Sequence, residues 1–210
     1  MLIVRKHLLR TIGAGLIALS IVSCRNSSKR VLLPRFEEEQ IDSLLLEGTD
    51  VESLPVVPDE ALSDERKIME LRGIALGEKD RRAFVMNSDI GLYLKSTKYD
   101  KYDFETRFLP KQKIYLAGKI IVSENYDVYV VIWGDSDKTV YFVTVKDRRI
   151  IDVVDVAEAY DDYIAMCGDD DSGEPVLCER ISENTFVVHW SNSASRRIVF
   201  REDGTISKQN

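Results

Sequence analysis

The residues that could do chemistry in this chain are few and widely spaced. His189 is a candidate general base, but it stands alone in a predicted strand beside Trp190, where histidines are usually structural. Asp152 and Asp155 could hydrolyse a glycosidic bond only if folding held them ~5–10 Å apart in a cleft. The sequence has no nucleophile elbow, Gly-rich phosphate loop or histidine cluster for zinc. It therefore predicts no catalytic motif and no cofactor.

An acidic segment offers a candidate for calcium. Asp169, Asp171 and Glu174 could direct oxygens at a hard cation, and the D-x-D start resembles an EF-hand loop. The rest of the segment does not match the spacing of an EF-hand loop, because its glycine comes one position too early. Arg180 also stands where the loop requires a glutamate. The pattern favours a solvated turn, and we predict no metal site.

The first 24 residues have the pattern of an export signal. A start with three basic residues and no acid precedes an apolar stretch from Thr11 to Val22. This stretch is shorter than the ~20 residues that span a bilayer. It ends in Ile21-Val22-Ser23-Cys24, which resembles the lipobox of bacterial lipoproteins. The resemblance implies that residues 1–23 are a cleaved signal peptide and that Cys24 carries a diacylglyceryl thioether and an acylated amino group.

The same resemblance implies a compartment and a first partner. The leader resembles those of envelope lipoproteins from Gram-negative, Bacteroides-like bacteria. The implied partner is the membrane, to which the N-terminal lipid attaches the protein. Arg25 follows the cysteine in place of an aspartate, which implies an outer-membrane lipoprotein on either the periplasmic face or the cell surface. Residues 24–35 are expected to form a lipidated, polar tether.

Two further cysteines would lie in an oxidising compartment. Cys167 and Cys178 flank a polar segment of Gly, Asp, Ser, Glu and Pro. If this segment is a symmetric hairpin centred at Ser172-Gly173, the cysteines lie directly opposite each other at ~4.5–5.5 Å, which suits a disulfide. The alternative is two reduced cysteines on separate faces.

Most β-forming residues lie between Lys111 and Ile206, in short runs separated by turn residues. The regular turn spacing predicts a mainly β fold, an antiparallel meander that forms two packed sheets or a barrel-like or blade-like unit. Ser-Glu-Asn occurs at 123–125 and 182–184, each time before a strand that ends at a tryptophan, Trp133 or Trp190. Either an internal duplication or convergent use of similar turns explains this match.

One or two helices are predicted before the meander. Phe36 to Glu47 and Ser63 to Leu76 have apolar residues at helical spacing and residues suited to cap a helix. We therefore assign residues 36–80 to a helical N-terminal segment and residues 81–210 to an antiparallel β domain.

The β domain is predicted to begin with a hairpin. Arg82 to Met86 and Gly91 to Lys95 flank a polar turn, which is the pattern of two short strands. Ser96 to Arg107, rich in Lys, Tyr and Asp, is predicted to be a long loop.

The charge of the chain excludes one class of partner. The net charge is -7, and removing the three basic residues of the leader makes it more negative still. A phosphate backbone is bound by clustered Lys and Arg. We therefore predict no nucleic-acid partner.

Aromatic residues supply the candidate binding face. Tyr129 and Trp133 share one predicted strand face, and His189 and Trp190 lie in another strand; burial between sheets is the alternative for the aromatic rings. We expect a non-catalytic binding or protein-interaction module with an unknown protein or glycan partner. The alternatives are a carboxylate-based envelope hydrolase that acts on glycans and an inhibitor of a basic enzyme that attacks the envelope.

Overall fold

The computed structural model describes residues 44–46, 49–96, 100–160, 175–190 and 194–209 of the chain. The predicted signal peptide, the tether and Cys24 lie outside these residues, as do Cys167 and the acidic segment 169–174. The expectations for all of these residues therefore remain predictions.

Nine strands form two antiparallel sheets in the described part of the chain. The strands are β1 Ile74–Ala75, β2 Ile114–Val122, β3 Asp127–Trp133, β4 Lys138–Lys146, β5 Arg149–Ala159, β6 Leu177–Ser182, β7 Thr185–His189, β8 Ser195–Phe200 and β9 Ile206–Gln209. Sheet A has the order β1-β2-β3-β4-β5 and sheet B the order β6-β7-β8-β9. The predicted mainly β, antiparallel fold is confirmed as two sheets, and the described strands close no barrel.

Three phenylalanines join the two sheets. The ring of Phe142 in β4 lies 4.9 Å from that of Phe186 in β7 and 5.8 Å from that of Phe200 in β8, between centroids. All three side chains are fully buried. Because full burial of one such side chain stabilises a fold by about 1.5–3 kcal/mol, this cluster contributes strongly to the attraction between the sheets.

Short helices precede β2, and those after α1 pack on the face of sheet A that is turned away from sheet B. They are a 3₁₀-helix Asp59–Leu62, α1 Glu65–Glu70, α2 Glu78–Asn87, α3 Asp89–Ser96 and α4 Lys101–Asp103, the last continued by a π-helix Phe104–Phe108 and a 3₁₀-helix Leu109–Lys111. Phe84 and Phe104 are fully buried in one core with Val131 and Val143 of sheet A. Burial on both faces explains the nearly continuous apolar runs of these strands. Within the described residues, none of the helices is both long enough and apolar enough to span a bilayer.

The predicted first hairpin is wrong, because α2 and α3 cover Arg82 to Met86 and Gly91 to Lys95. The predicted loop from Ser96 to Arg107 likewise contains α4. Short apolar runs do not distinguish a strand from a buried helix. The close approach of the two helices depends on Gly91, where a β-carbon would lie 2.4 Å from the carbonyl oxygen of Val85.

The helix predicted from Ser63 to Leu76 is present only as the shorter α1. Asp64, rather than Ser63, caps it by accepting the backbone N–H of Lys67 at 3.2 Å. The chain then turns into β1 and pairs with β2. Gly73 permits the close approach of this segment to β2, because a β-carbon there would lie 2.5 Å from a backbone carbonyl oxygen of β2.

The described part of the other predicted helix, Phe36 to Glu47, is not helical. Residues 44–46 are irregular, and Leu46 has a φ of 51°. The backbone N–H of Leu44 donates to the carbonyl of Arg148 at 2.8 Å. Long-range contacts thus override the helical spacing of the apolar residues at this point.

The two halves of the meander have the same strand order. β2 to β5 and β6 to β9 are each four antiparallel strands, and the turn before the second strand of each contains Ser-Glu-Asn, at 123–125 and 182–184. The tryptophans do not correspond, because Trp133 faces the helices whereas Trp190 packs on the core between the sheets. When the two halves are aligned at Ser-Glu-Asn, the residues of the following strand that face the core between the sheets are shifted by one position. A shift of one residue exchanges the two faces of a strand.

Candidate functional site

The predicted carboxylate pair ties the two sheets together. Asp152 accepts the backbone N–H of Ile206 at 2.9 Å, and Asp155 accepts a guanidinium N–H of Arg196 at 3.2 Å. The same guanidinium nitrogen donates to the backbone carbonyl of Asp155 at 3.0 Å. Because β5 is the outermost strand of sheet A, these bonds connect its outer edge to sheet B. Both carboxylates thus have structural partners.

Loss of this connection is expected to weaken the fold. Asp155→Ala should lower the free energy of unfolding by about 1–2 kcal/mol, because the half-buried guanidinium of Arg196 loses a charge-assisted hydrogen bond. Urea unfolding followed by tryptophan fluorescence measures this change. Glu179→Ala is the matched control: its carboxylate is 66% exposed, and we expect a change within about 0.5 kcal/mol. Equal effects of the two substitutions would contradict the structural role.

Trp190 and His189 lie on opposite faces of sheet B. The guanidinium of Arg196 is 5.1 Å from the centre of the Trp190 ring, which packs on the core between the sheets. His189 points to solvent, with the carboxylate of Glu179 3.9 Å from its Nε2 atom. This distance is beyond the reach of a hydrogen bond. His189 is therefore not held as an oriented general base would be.

Tyr129 and Trp133 lie beneath the helices on sheet A. Trp133 donates its ring N–H to Gln112 at 3.0 Å, and its ring centroid is 5.9 Å from that of Phe84. Tyr129 is 4% exposed, and burial raises the pKa of its hydroxyl to about 12. The exposed aromatic strip proposed from the sequence is therefore not formed, since a helical layer covers this face. The four residues Tyr129, Trp133, His189 and Trp190 do not share one surface.

Cys178 is a free and buried thiol. Burial raises its pKa to about 12, so the thiol is protonated at neutral pH and is a poor nucleophile. Val176, just before β6, pairs with Glu158 of β5, while Leu177 pairs with β7 on the other side. The structure thus gives no support to the predicted disulfide with Cys167, which lies outside the described residues.

The buried thiol is expected to be chemically protected. In the mature chain 24–210 with Cys24→Ser and Cys167→Ser, the Cys178 thiol should react with an aromatic disulfide reagent at pH 8 at least about 100-fold more slowly when folded than in denaturant. One thiol should be titrated after unfolding. Equally fast reaction in the folded state would show that the thiol is accessible.

No group of three or more His, Cys, Asp or Glu side chains in the described residues is arranged to hold a metal ion. The weak calcium candidates Asp169, Asp171 and Glu174 lie outside those residues. For the acidic segment, the solvated turn therefore stays a prediction from the sequence.

A charged cluster links the start of β2 to the turn after β3. The ammonium of Lys113 and the hydroxyl of Tyr115 both donate to the carboxylate of Asp135, the latter at 2.6 Å. These bonds hold the pKa of Asp135 below its usual range and raise that of Lys113. Because these groups satisfy one another, the cluster stabilises the turn and offers little to a ligand.

An open cleft lies between two hairpin turns, one from each sheet. Its volume is about 570 Å³, and the residues that line it, here called the hairpin cleft, are Lys146, Asp147, Arg149, Ile151 and Asp203. The two turn residues between β4 and β5 have positive φ angles of 50° and 65°, which sets Lys146 directly opposite Arg149. The turn after β8 reaches Ile151, because a β-carbon on Gly204 would lie 2.5 Å from its Cδ1 atom.

The hairpin cleft carries charges of both signs. Lys146 and Arg149 are exposed, and neither makes a salt bridge to another described residue. Asp203 on the other wall accepts the backbone N–H and the hydroxyl of Thr205, at 2.9 and 2.7 Å, through its Oδ1 atom. These bonds hold the pKa of Asp203 below its usual range, so the carboxylate is ionised at neutral pH. The cleft thus presents two cations without salt bridges to described residues, with Asp147 in the same turn and the fixed anion Asp203 on the other side.

Sequence reasoning missed the hairpin cleft, because its walls come from turns far apart in the chain. One signal was available. The turn Lys146-Asp147-Arg148-Arg149 has three basic residues in a chain of net charge -7. Such a local excess of positive charge indicates an anion-binding surface.

Comparisons with protein-family models, with curated proteins and with solved structures found no match. The fold defines a class only in general terms, an antiparallel β protein of two sheets with a layer of helices on one side.

Proposed function

We propose that this chain is a lipid-anchored protein of the bacterial envelope and acts as a non-catalytic binding module through its hairpin cleft. The anchor is proposed from the resemblance of Ile21-Val22-Ser23-Cys24 to a lipobox. The resemblance also supports the outer membrane as its location. The binding role is proposed from the charges of the cleft.

One observation carries the binding role. The cations of the hairpin cleft, Lys146 and Arg149, have no salt bridge within the described structure, whereas Lys113 and Arg196 are paired with carboxylates. Like charges directly opposite each other on paired strands repel. A ligand with negative charge would relieve this repulsion, so the site is suited to bind rather than to stabilise the fold.

The hydrolase alternative has weaker support. Its candidate carboxylates, Asp152 and Asp155, hold the outer edge of β5 against sheet B. A glycosidase needs two carboxyl groups on either side of the bond that is cleaved. Carboxylates engaged in bonds between sheets do not favour that arrangement.

The proposed function is tested by retention of envelope material on immobilised protein. The bait is the mature chain 24–210 with Cys24→Ser, and the extract is separated into protein and glycan fractions before it is applied. We expect one fraction to be retained, and retention to be lost in the double variant Lys146→Glu/Arg149→Glu. Arg197→Glu/Lys208→Glu, at two exposed sites on sheet B, is the matched control with the same change of charge.

Circular dichroism of each variant checks that the fold is kept. Retention by the wild-type and control baits, but not by the cleft variant, supports the proposal. If no fraction is retained, or if the cleft variant retains as much as the control, the proposal is overturned.

A further inference from the structure

The cation wall of the hairpin cleft favours a carboxylate. Lys146 and Arg149 are a directly opposed pair on β4 and β5, so both side chains emerge on the same face of the hairpin. A guanidinium presents a planar fork of donors that matches the two oxygens of a carboxylate, and an adjacent ammonium adds a further donor. Arg148, in the same turn, adds positive charge nearby.

The carboxylates that line the cleft disfavour ligands with several negative charges. Asp147 and Asp203 balance the formal charges of Lys146 and Arg149 within the cleft. A phosphate or pyrophosphate would bring its charge close to these carboxylates and be repelled. A ligand with a single negative charge avoids most of this repulsion.

Asp203 offers an acceptor to a donor on the ligand. Its Oδ1 atom accepts both bonds from Thr205, and its Oδ2 atom accepts no hydrogen bond from the described residues. An ionised carboxylate accepts hydrogen bonds from hydroxyl groups. The ligand that fits both walls therefore has a carboxylate at one end and hydroxyl groups at the other.

The size and lining of the cleft restrict the ligand further. The cleft is open to solvent, and its volume of about 570 Å³ leaves room for a small ligand without enclosing it. Ile151 is its one apolar lining residue, so an apolar ligand would bury little surface there. A polar ring can rest its C–H face on Ile151 and leave the rest of a chain in solvent.

We infer that the hairpin cleft binds an acidic sugar, a ring that carries a carboxylate and several hydroxyl groups, as part of an envelope or environmental glycan. The carboxylate contacts Lys146 and Arg149, and the hydroxyl groups donate to Asp203. The inference rests on the proposed function and names the ligand class of that site.

Calorimetric titration with the methyl glycoside of galacturonic acid, a single ring with one carboxylate, tests the inference, and its methyl ester is the matched probe without negative charge. The protein is the mature chain 24–210 with Cys24→Ser. We expect the acid to bind and the ester to bind at least about tenfold more weakly, since esterification removes a charge-assisted contact. Pyrophosphate is the competing anion, and we expect it to bind more weakly than the acid.

Two variants assign the contacts. Arg149→Gln should weaken binding of the acid by about tenfold or more. Asp203→Asn should weaken it by about three- to tenfold, which is the contribution of one hydrogen bond. Arg197→Gln, on the exposed part of sheet B, is the control and should bind as the wild type does. Each variant is first checked for an unchanged unfolding transition.

Other results overturn the inference, and one of them leaves the proposed function standing. If the ester binds as well as the acid, if pyrophosphate binds more tightly, or if Arg149→Gln has no effect, the cleft does not select an acidic sugar. If no sugar binds but envelope material is still retained through Lys146 and Arg149, only the ligand class is wrong. If neither is seen, the proposed function fails as well.

Discussion

Replacing Phe142 with alanine is expected to lower the free energy of unfolding by about 3–5 kcal/mol. The ring is fully buried and lies edge-on to Phe186 and close to Phe200, so its removal leaves a cavity between the two sheets. Such a loss is a large fraction of the about 5–15 kcal/mol by which a typical domain is stable. Equilibrium unfolding in urea measures it.

Leu92→Ala is the control for this prediction. Leu92 is 61% exposed on α3, so the substitution should change the free energy of unfolding by no more than about 0.5 kcal/mol. A Phe142→Ala variant as stable as the control would mean that the sheets do not pack through this ring.

Gly118→Ala is expected to cost about 2–4 kcal/mol, from backbone strain together with steric overlap. Gly118 in β2 has a φ of 155°, and a β-carbon there would lie 2.2 Å from the carbonyl oxygen of Pro55. That oxygen accepts the N–H of Lys119 at 2.9 Å, and Val57 donates to the carbonyl of Lys119 at 2.7 Å. The substitution would push this segment away from the edge of sheet A.

Gly77→Ala tests whether the effect depends on position. A β-carbon at Gly77 meets no atom within 4 Å, so alanine there should cost less than about 1 kcal/mol. Thermal unfolding of both variants at one pH compares them. Similar losses at the two glycines would contradict the close approach of Pro55 to β2.

Most strands of the meander could be predicted because their physical signals are local. β3 and β4 are runs of β-branched and aromatic residues between polar turns, and burial on both faces makes those runs nearly continuous. The match between prediction and structure is therefore closest in sheet A. Turn residues such as Asp147 and Arg148 mark the ends of the strands.

The helices from α2 onward could not be predicted in the same way. The apolar runs from Ala83 to Met86 and near Leu92 are too short for a periodicity that distinguishes helix from strand. Their conformation depends on contacts with distant residues. Asp80, for example, accepts the backbone N–H groups of Leu45 and Leu46 at 2.5 and 3.1 Å.

The sequence indicated which residue types could form a site, but not which of them lie together in the fold. Asp152 and Asp155 were recognised as carboxylates that could react, but their partners Arg196 and Ile206 come from sheet B. The hairpin cleft likewise exists only because sheet B brings Asp203 to the turn after β4. Long-range pairing of this kind has no local signal.

Attachment of lipid to Cys24 is the claim on which the proposed compartment and the envelope ligand depend. Intact mass measurement of the protein purified from bacterial membranes tests it most directly. We predict a chain that begins at Cys24 and carries the mass of a diacylglyceryl group and one further acyl chain, and we predict that Cys24→Ser prevents both the cleavage and the added mass. A chain that retains residues 1–23, or one with an unmodified thiol at Cys24, would contradict the account.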